Sequence, residues 1–317
     1  MSNDDHGSAP TLDWQVLVDH WVEERGTLST LAEALAAQRS FEDDVASVER
    51  ALRRLRKRGS LDGGIWGRRA LRCFGLPKAL SERVRWMGLY HSRFTDLPTG
   101  LCLELLRPWN RPPTSESPAR AWVQLGFASV YLRLRQHELA AQHLDRVQPT
   151  MVAAQLEHAL VSSYVLARLD PSASVAALDE AERLLPDVEH EDDAACFQSR
   201  LIDQRAYRLN KPTRGAPDHE AAYGLYASLP EVAPGFALCR RHNGLGWSSF
   251  KLGRTDEAIE HGEASLRIAG DVGSLRLRAM ALNLLARATQ DASYRTRAQS
   301  IAKRLEDQEL LFRYGRT

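Results

Sequence analysis

The densest chemistry in the chain is a run of bases. Residues 50–72 hold nine Lys and Arg against a single acid, Asp62, whereas residues 1–49 carry 11 acids and two bases. Arg50, Arg53, Arg54, Lys57 and Arg58 fall in one stretch, and Arg68, Arg69 and Arg72 prolong it. Clustered guanidiniums suit phosphates and carboxylates, which they grip through paired N–H donors. Other chemistry has less to stand on. His137 and His143 flank a Glu, but at a spacing of six their rings lie about 120° off a common helix face, where a zinc-binding helix needs a spacing of four. Cys73, Cys102, Cys196 and Cys239 show no C-x-x-C spacing, which argues against a zinc site or a disulfide framework. No glycine-rich phosphate loop and no nucleophile elbow occurs. No catalytic set, cofactor or metal is expected.

The net charge is +1, so any attraction to nucleic acid must be local to that basic block. Only five of the 42 basic residues are lysine. Codon bias alone produces such an excess, so the placement of an arginine says more than its number. With 44% hydrophobic and 26% charged residues the composition is that of a soluble globular protein. Its 317 residues suffice for one large or two modest domains. No stretch approaches the roughly 20 apolar residues that span a bilayer. The opening Met1-Ser-Asn-Asp-Asp-His is acidic and has no apolar core, so no secretory signal and a cytoplasmic location are expected.

The elements that must position these residues are helices. Leu (45) and Ala (41) dominate while Ile numbers five, which favours helix over strand formers. Prolines are absent from Thr11 to Leu76 and after Pro234, and between Pro118 and Pro234 they cut the chain into helix-length pieces. The expected organisation is a disordered leader at 1–10, a helical module at 11–75, an aromatic-rich helical connector at 76–118 and an array of helix pairs at 119–317. The proline-rich stretch Arg107–Pro118 is the expected boundary. Helices are predicted at 12–25, 27–38 and 43–58. In the third, Val45, Val48, Leu52 and Leu55 share one face, and Arg50, Arg53, Arg54, Lys57 and Arg58 share the opposite one, with Ala46 and Ser47 a turn earlier.

Residues 27–59 resemble the helix-turn-helix of bacterial transcription regulators, including the run Ser47-Val-Glu-Arg-Ala-Leu-Arg-Arg-Leu55 ending in Gly59. The resemblance implies a DNA contact through Ser47, Arg50, Arg53, Arg54, Lys57, Arg58, Arg68 and Arg69, with Ser60–Gly67 as a short wing. Two features depart from the pattern. The connector Gln38–Asp44 is longer than the usual tight turn, and Glu42, Asp43 and Asp44 stand where a recognition helix meets the bases. The alternative is a solvated amphipathic helix.

Residues 243–266 resemble a tetratricopeptide repeat: Leu245-Gly246, an aromatic at Phe250, a turn at Gly253, then Asp256-Glu-Ala258 opening a second helix. Gly246 and Ala258 would let two helices approach, with Leu245, Phe250 and Ile259 filling the seam. Trp122-Val-Gln-Leu125-Gly126 opens a second copy, and 151–185, 191–229 and 274–306 read as further helix pairs, giving about five hairpins. The resemblance implies an α-solenoid whose first helices line a groove for a peptide or protein, with Arg240, Asn243, Trp247 and Phe250 facing it. Packing of Trp247 and Phe250 between hairpins is equally compatible with the sequence. The whole layout resembles bacterial DNA-binding regulators in which such a solenoid receives a peptide or protein partner. The alternative is a non-enzymatic scaffold or adaptor whose basic helix meets acidic protein surface, in a homodimer for instance.

Overall fold

The structure, a computed structural model, describes residues 12–38, 43–212 and 215–315. The expected leader at 1–10 and residues 39–42 of the long connector lie outside these. Every regular element among the described residues is helical, so the expected wing at Ser60–Gly67 is not a β-ribbon. The chain divides into two compact units: residues 1–88 with 103–124, and residues 89–102 with 125–317.

In the first unit α1 (Trp14–Arg25), α2 (Leu28–Ala36) and α3 (Val45–Arg56) pack together with α4 (Gly64–Phe74), and α5 (Lys78–Gly88) follows. Their starts are capped: Asp13, Thr27 and Asp44 accept from the N–H three residues on. Helical spacing puts Trp14, Leu17, Val18 and Trp21 of α1 into one core with Leu31 and Leu35 of α2 and Val48, Leu52 and Leu55 of α3. Val45, predicted on that face, is instead 37% exposed at the first position of α3. The wing is replaced by the start of α4, whose unpaired N–H groups find carboxylates. Glu116 Oε1 accepts from Gly63 at 2.9 Å and Asp62 Oδ1 from Gly64. A Cβ at Gly67 would stand 2.7 Å from the Trp14 ring, so only glycine lets α4 settle on α1.

Of the expected connector, residues 76–88 and 103–118 fall in the first unit and 89–102 in the second, and residues 119–124 also fall in the first. A Cβ on Gly88 would sit 2.5 Å from the Trp122 carbonyl oxygen, so the end of α5 closes on the first turn of the helix Arg120–Arg133. Helix α6 (Thr99–Leu106) and helix α7 (Arg120–Arg133) each run from one unit into the other.

The second unit continues through α8 (His137–Leu144), α9 (Val152–Leu169), α10 (Pro171–Leu184), α11 (Glu191–Asn210), α12 (His219–Ala227), α13 (Gly235–Lys251), α14 (Thr255–Asp271), α15 (Leu275–Ala288), α16 (Ala292–Arg304) and α17 (Gln308–Tyr314). Consecutive helices pack on one another, most extensively α9–α10, α13–α14, α14–α15 and α15–α16. Five of the turns share one device, a single left-handed residue: Arg135, Gly253, Gly273, Gln290 and Glu306 all have φ between 53° and 78°. After four of them the next N–H reaches back five residues to a helix carbonyl, as Arg254 does to Ser249, which satisfies an otherwise orphaned acceptor. Gly246 permits the expected close approach: a Cβ there would lie 3.1 Å from the Ala258 carbonyl oxygen and 2.7 Å from Leu284. Leu245 does not fill the α13–α14 seam but packs with Ala206, Ala222 and Tyr226.

Candidate functional sites

The basic face of α3 is built by its own amphipathicity. With Val48, Leu52 and Leu55 buried, Arg50, Arg53, Arg54, Lys57 and Arg58 are all exposed. The acids beside them are engaged locally. Arg53 meets Glu49 at 2.6 Å yet stays 65% exposed. Asp44 caps the helix and takes both the Ser47 N–H and hydroxyl, at 2.8 and 2.7 Å, and those bonds hold its carboxyl below the usual range. Ser47 is thereby committed to the cap, and its oxygen accepts from Arg50 Nη2 at 3.0 Å. Arg68 is exposed, 3.8 Å from Asp62. Arg69 is a correction: it is 5% exposed, bonds Asp43 at 2.7 Å and lies over the Trp66 ring at 4.4 Å. It ties the start of α3 to α4 and adds nothing to an exposed patch.

The second unit holds a cleft of about 860 Å³. Its walls come largely from alternate helices of the unit. Arg133 stands on α7, Ser163, Tyr164 and Arg168 on α9, Asp203, Gln204, Tyr207 and Arg208 on α11, Asn243 and Trp247 on α13, and Arg276, Asn283 and Arg287 on α15; α17 adds Glu309, Phe312, Arg313 and Tyr314. Two of the four predicted groove residues are therefore on the wall. Trp247 carries cations on its ring, with Arg287 at 5.6 Å and Lys251 at 5.4 Å from the centroid. The Asn243 amide nitrogen is buried and has no hydrogen-bond partner. Phe250 does not line the cleft but leans on Trp247 with ring centroids 6.0 Å apart. Arg240 is 3% exposed and bonds Asp203 at 2.7 Å, so it is a structural cation and not a groove-facing one.

Asp203 is the hub that sequence reading missed. Besides Arg240 it accepts from Tyr226 at 2.9 Å and lies 3.5 Å from the Tyr164 hydroxyl. Burial raises the phenols of Tyr164 and Tyr226 well above their usual range, and the Asp203 carboxylate pushes them further. Tyr90 behaves oppositely. Burial pushes its phenol up, but Arg276, Arg240 and Arg313 outweigh that and hold it below the ordinary value. The guanidiniums of Arg276 and Arg200 stand over its ring at 4.6 and 4.7 Å. One signal was available in the sequence. Asp203, Gln204, Tyr207, Arg208 and Lys211 recur at helical spacing along α11, a polar stripe on a helix whose Phe197 and Leu201 are buried.

Of the two histidines beside Glu138, His137 lines the cleft while His143 stacks on Phe127 at 4.8 Å and Tyr131 at 5.3 Å. Burial depresses both imidazoles, that of His143 to about 4. Among the described residues no three His, Cys, Asp or Glu side chains are grouped to hold a metal. No helix there is long and apolar enough to cross a membrane. No family model, no curated protein and no solved structure matches this chain.

Proposed function

We propose that the protein is a DNA-binding regulator. In this reading the exposed face of α3 contacts duplex phosphates, and the helix-pair array receives a ligand in its cleft. The first three helices serve as a helix-turn-helix-like module and the array as a tetratricopeptide-like solenoid. One observation carries the DNA half: Arg50, Arg53, Arg54, Lys57 and Arg58 share an exposed face while the opposite stripe is buried. A scaffold that used these bases internally would have them packed or paired, and among the described residues only Arg53 of the five meets a carboxylate in an ion pair. Such a face gives strong, salt-sensitive and largely sequence-independent affinity. The ligand half is supported by the lining of the cleft and by the unpartnered Asn243 amide, which can bond a peptide backbone or a comparable polar group.

The test is charge reversal. Arg53→Glu with Lys57→Glu is expected to abolish retardation of any duplex at low salt while helical content, read by circular dichroism, is unchanged. Failure of the unaltered protein to bind any duplex at low salt overturns the DNA reading.

A further inference from the structure

Beside α17 the cleft wall and the shell behind it carry more arginines than carboxylates. Arg133 and Arg276 share one carboxylate, with both Nε atoms near Asp307 Oδ2 at 3.1 and 3.2 Å, and Asp307 is fully buried. Arg135 and Arg313 share another, meeting Glu309 Oε2 and Oε1 at 3.1 and 2.9 Å. Arg240 takes Asp203 for itself. Five guanidiniums thus lean on three carboxylates, a surplus of two positive charges in and beneath the cleft wall. Around the buried Asp307 the side chains of Arg133 and Arg276 are only 1% and 11% exposed; a charge removed from water without a carboxylate of its own is costly, which suits the site to an anion supplied from outside.

The geometry says where that anion would sit. Arg313 lines the cleft and keeps 47% of its side chain accessible, although its Nε is bonded to Glu309. Arg276 lines the same cleft, and its Nε lies close to Asp307 but off the line of a hydrogen bond. Tyr90, under Arg276, lines the same cleft, and the charges of both Arg276 and Arg313 bear on its phenol. The terminal N–H groups of two arginines and one phenol make a donor set for a planar or tetrahedral oxyanion. Around it Tyr164, Tyr226 and Trp247 give aromatic surface, and the volume falls within the roughly 300–1,000 Å³ of small-molecule sites.

We propose that Arg276, Arg313 and Tyr90 form an oxyanion-binding site in the cleft wall beside α17, taking the carboxylate or phosphate of a small aromatic ligand. The proposal rests on the reading of the cleft as a ligand site and adds the charge and class of its ligand. Three probes sharing one ring test it: benzoate, phenyl phosphate and neutral benzamide, each titrated into the full chain at constant ionic strength with calorimetry and thermal unfolding as readouts. At least one of the two anions is expected to bind ten times or more tighter than benzamide and to raise the melting temperature; which of them does so separates carboxylate from phosphate recognition. Arg313→Gln, at a half-exposed position, is expected to fold with an undiminished melting temperature in chloride and to lose the preference. Arg53→Glu with Lys57→Glu is expected to keep it, which separates the cleft from phosphate binding on α3. Benzamide binding as tightly as both anions would retain the cleft as a ligand site and overturn the oxyanion site. No binding of any probe would overturn both, and a preference surviving Arg313→Gln unchanged would overturn the assignment.

Discussion

Glu157 and Arg200 allow a sharp test of the second unit's packing. Arg200 Nη1 and Nη2 donate to the two Glu157 oxygens at 2.6 and 2.8 Å, and the side chains are 1% and 0% exposed. Glu157→Ala leaves a buried guanidinium without its counter-charge, a loss of about 3–5 kcal/mol. At roughly 2–4 °C per kcal/mol for a body of 150–250 residues, the melting temperature should fall by about 6–20 °C. Replacing both by Met removes the charge and its partner together, which in buried pairs is near neutral or stabilising. Here Arg200 also lies over Tyr90 and Phe197, at 4.7 and 5.7 Å from the ring centroids. Losing those contacts returns about 0.5–2 kcal/mol to the debit side, so the double variant should lie within about 2 kcal/mol of the parent. Urea unfolding of the parent, Glu157→Met, Arg200→Met and the double variant gives the coupling energy. A loss under 1 kcal/mol in Glu157→Ala, or a double variant as unstable as the single one, would refute the reasoning.

Three further outcomes are expected. Asn243→Ala should leave the melting temperature within a degree or two, because its amide nitrogen has no bond to lose, while weakening ligand capture by about 1–3 kcal/mol; a marked fall in melting temperature would identify a structural amide. Gln290→Gly should stabilise by about 1 kcal/mol, since Gln290 holds a left-handed φ of 62° that glycine adopts freely, and urea midpoints read this directly. His143 has a folded-state pKa of about 4, depressed by burial, so the unfolded chain takes up its proton first and stability should fall as pH drops from about 6.5 towards 4. In His143→Gln that part of the pH dependence should flatten; an unchanged slope in thermal scans across this window would count against the assignment.

What the sequence made legible was what repeats along one helix. The buried stripe Val48–Leu52–Leu55 and the bases opposite it follow from a period of 3.6, and prolines and turn glycines mark the helix pairs at 152–184, 191–227 and 275–304. Contacts between distant segments were not legible. Arg69 reads as one more surface base, yet its carboxylate is Asp43, 26 residues earlier. Tyr90, Asp203 and Arg313 come from three elements, and no local pattern joins them. The division within α6 and α7 escaped for a related reason, because a helix that serves two units has no break in its periodicity.

The proposed hold of α3 on duplex DNA is tested most directly by the salt dependence of binding. Each neutralised phosphate contributes about −0.9 to the slope of log affinity against log salt, so four or five contacts give a slope of about −4. Fluorescence anisotropy of a labelled duplex from 50 to 200 mM salt should show that slope in the parent and one shallower by about 2 in Arg54→Gln with Lys57→Gln. A slope near zero, or one that the two substitutions leave unchanged, would contradict the account.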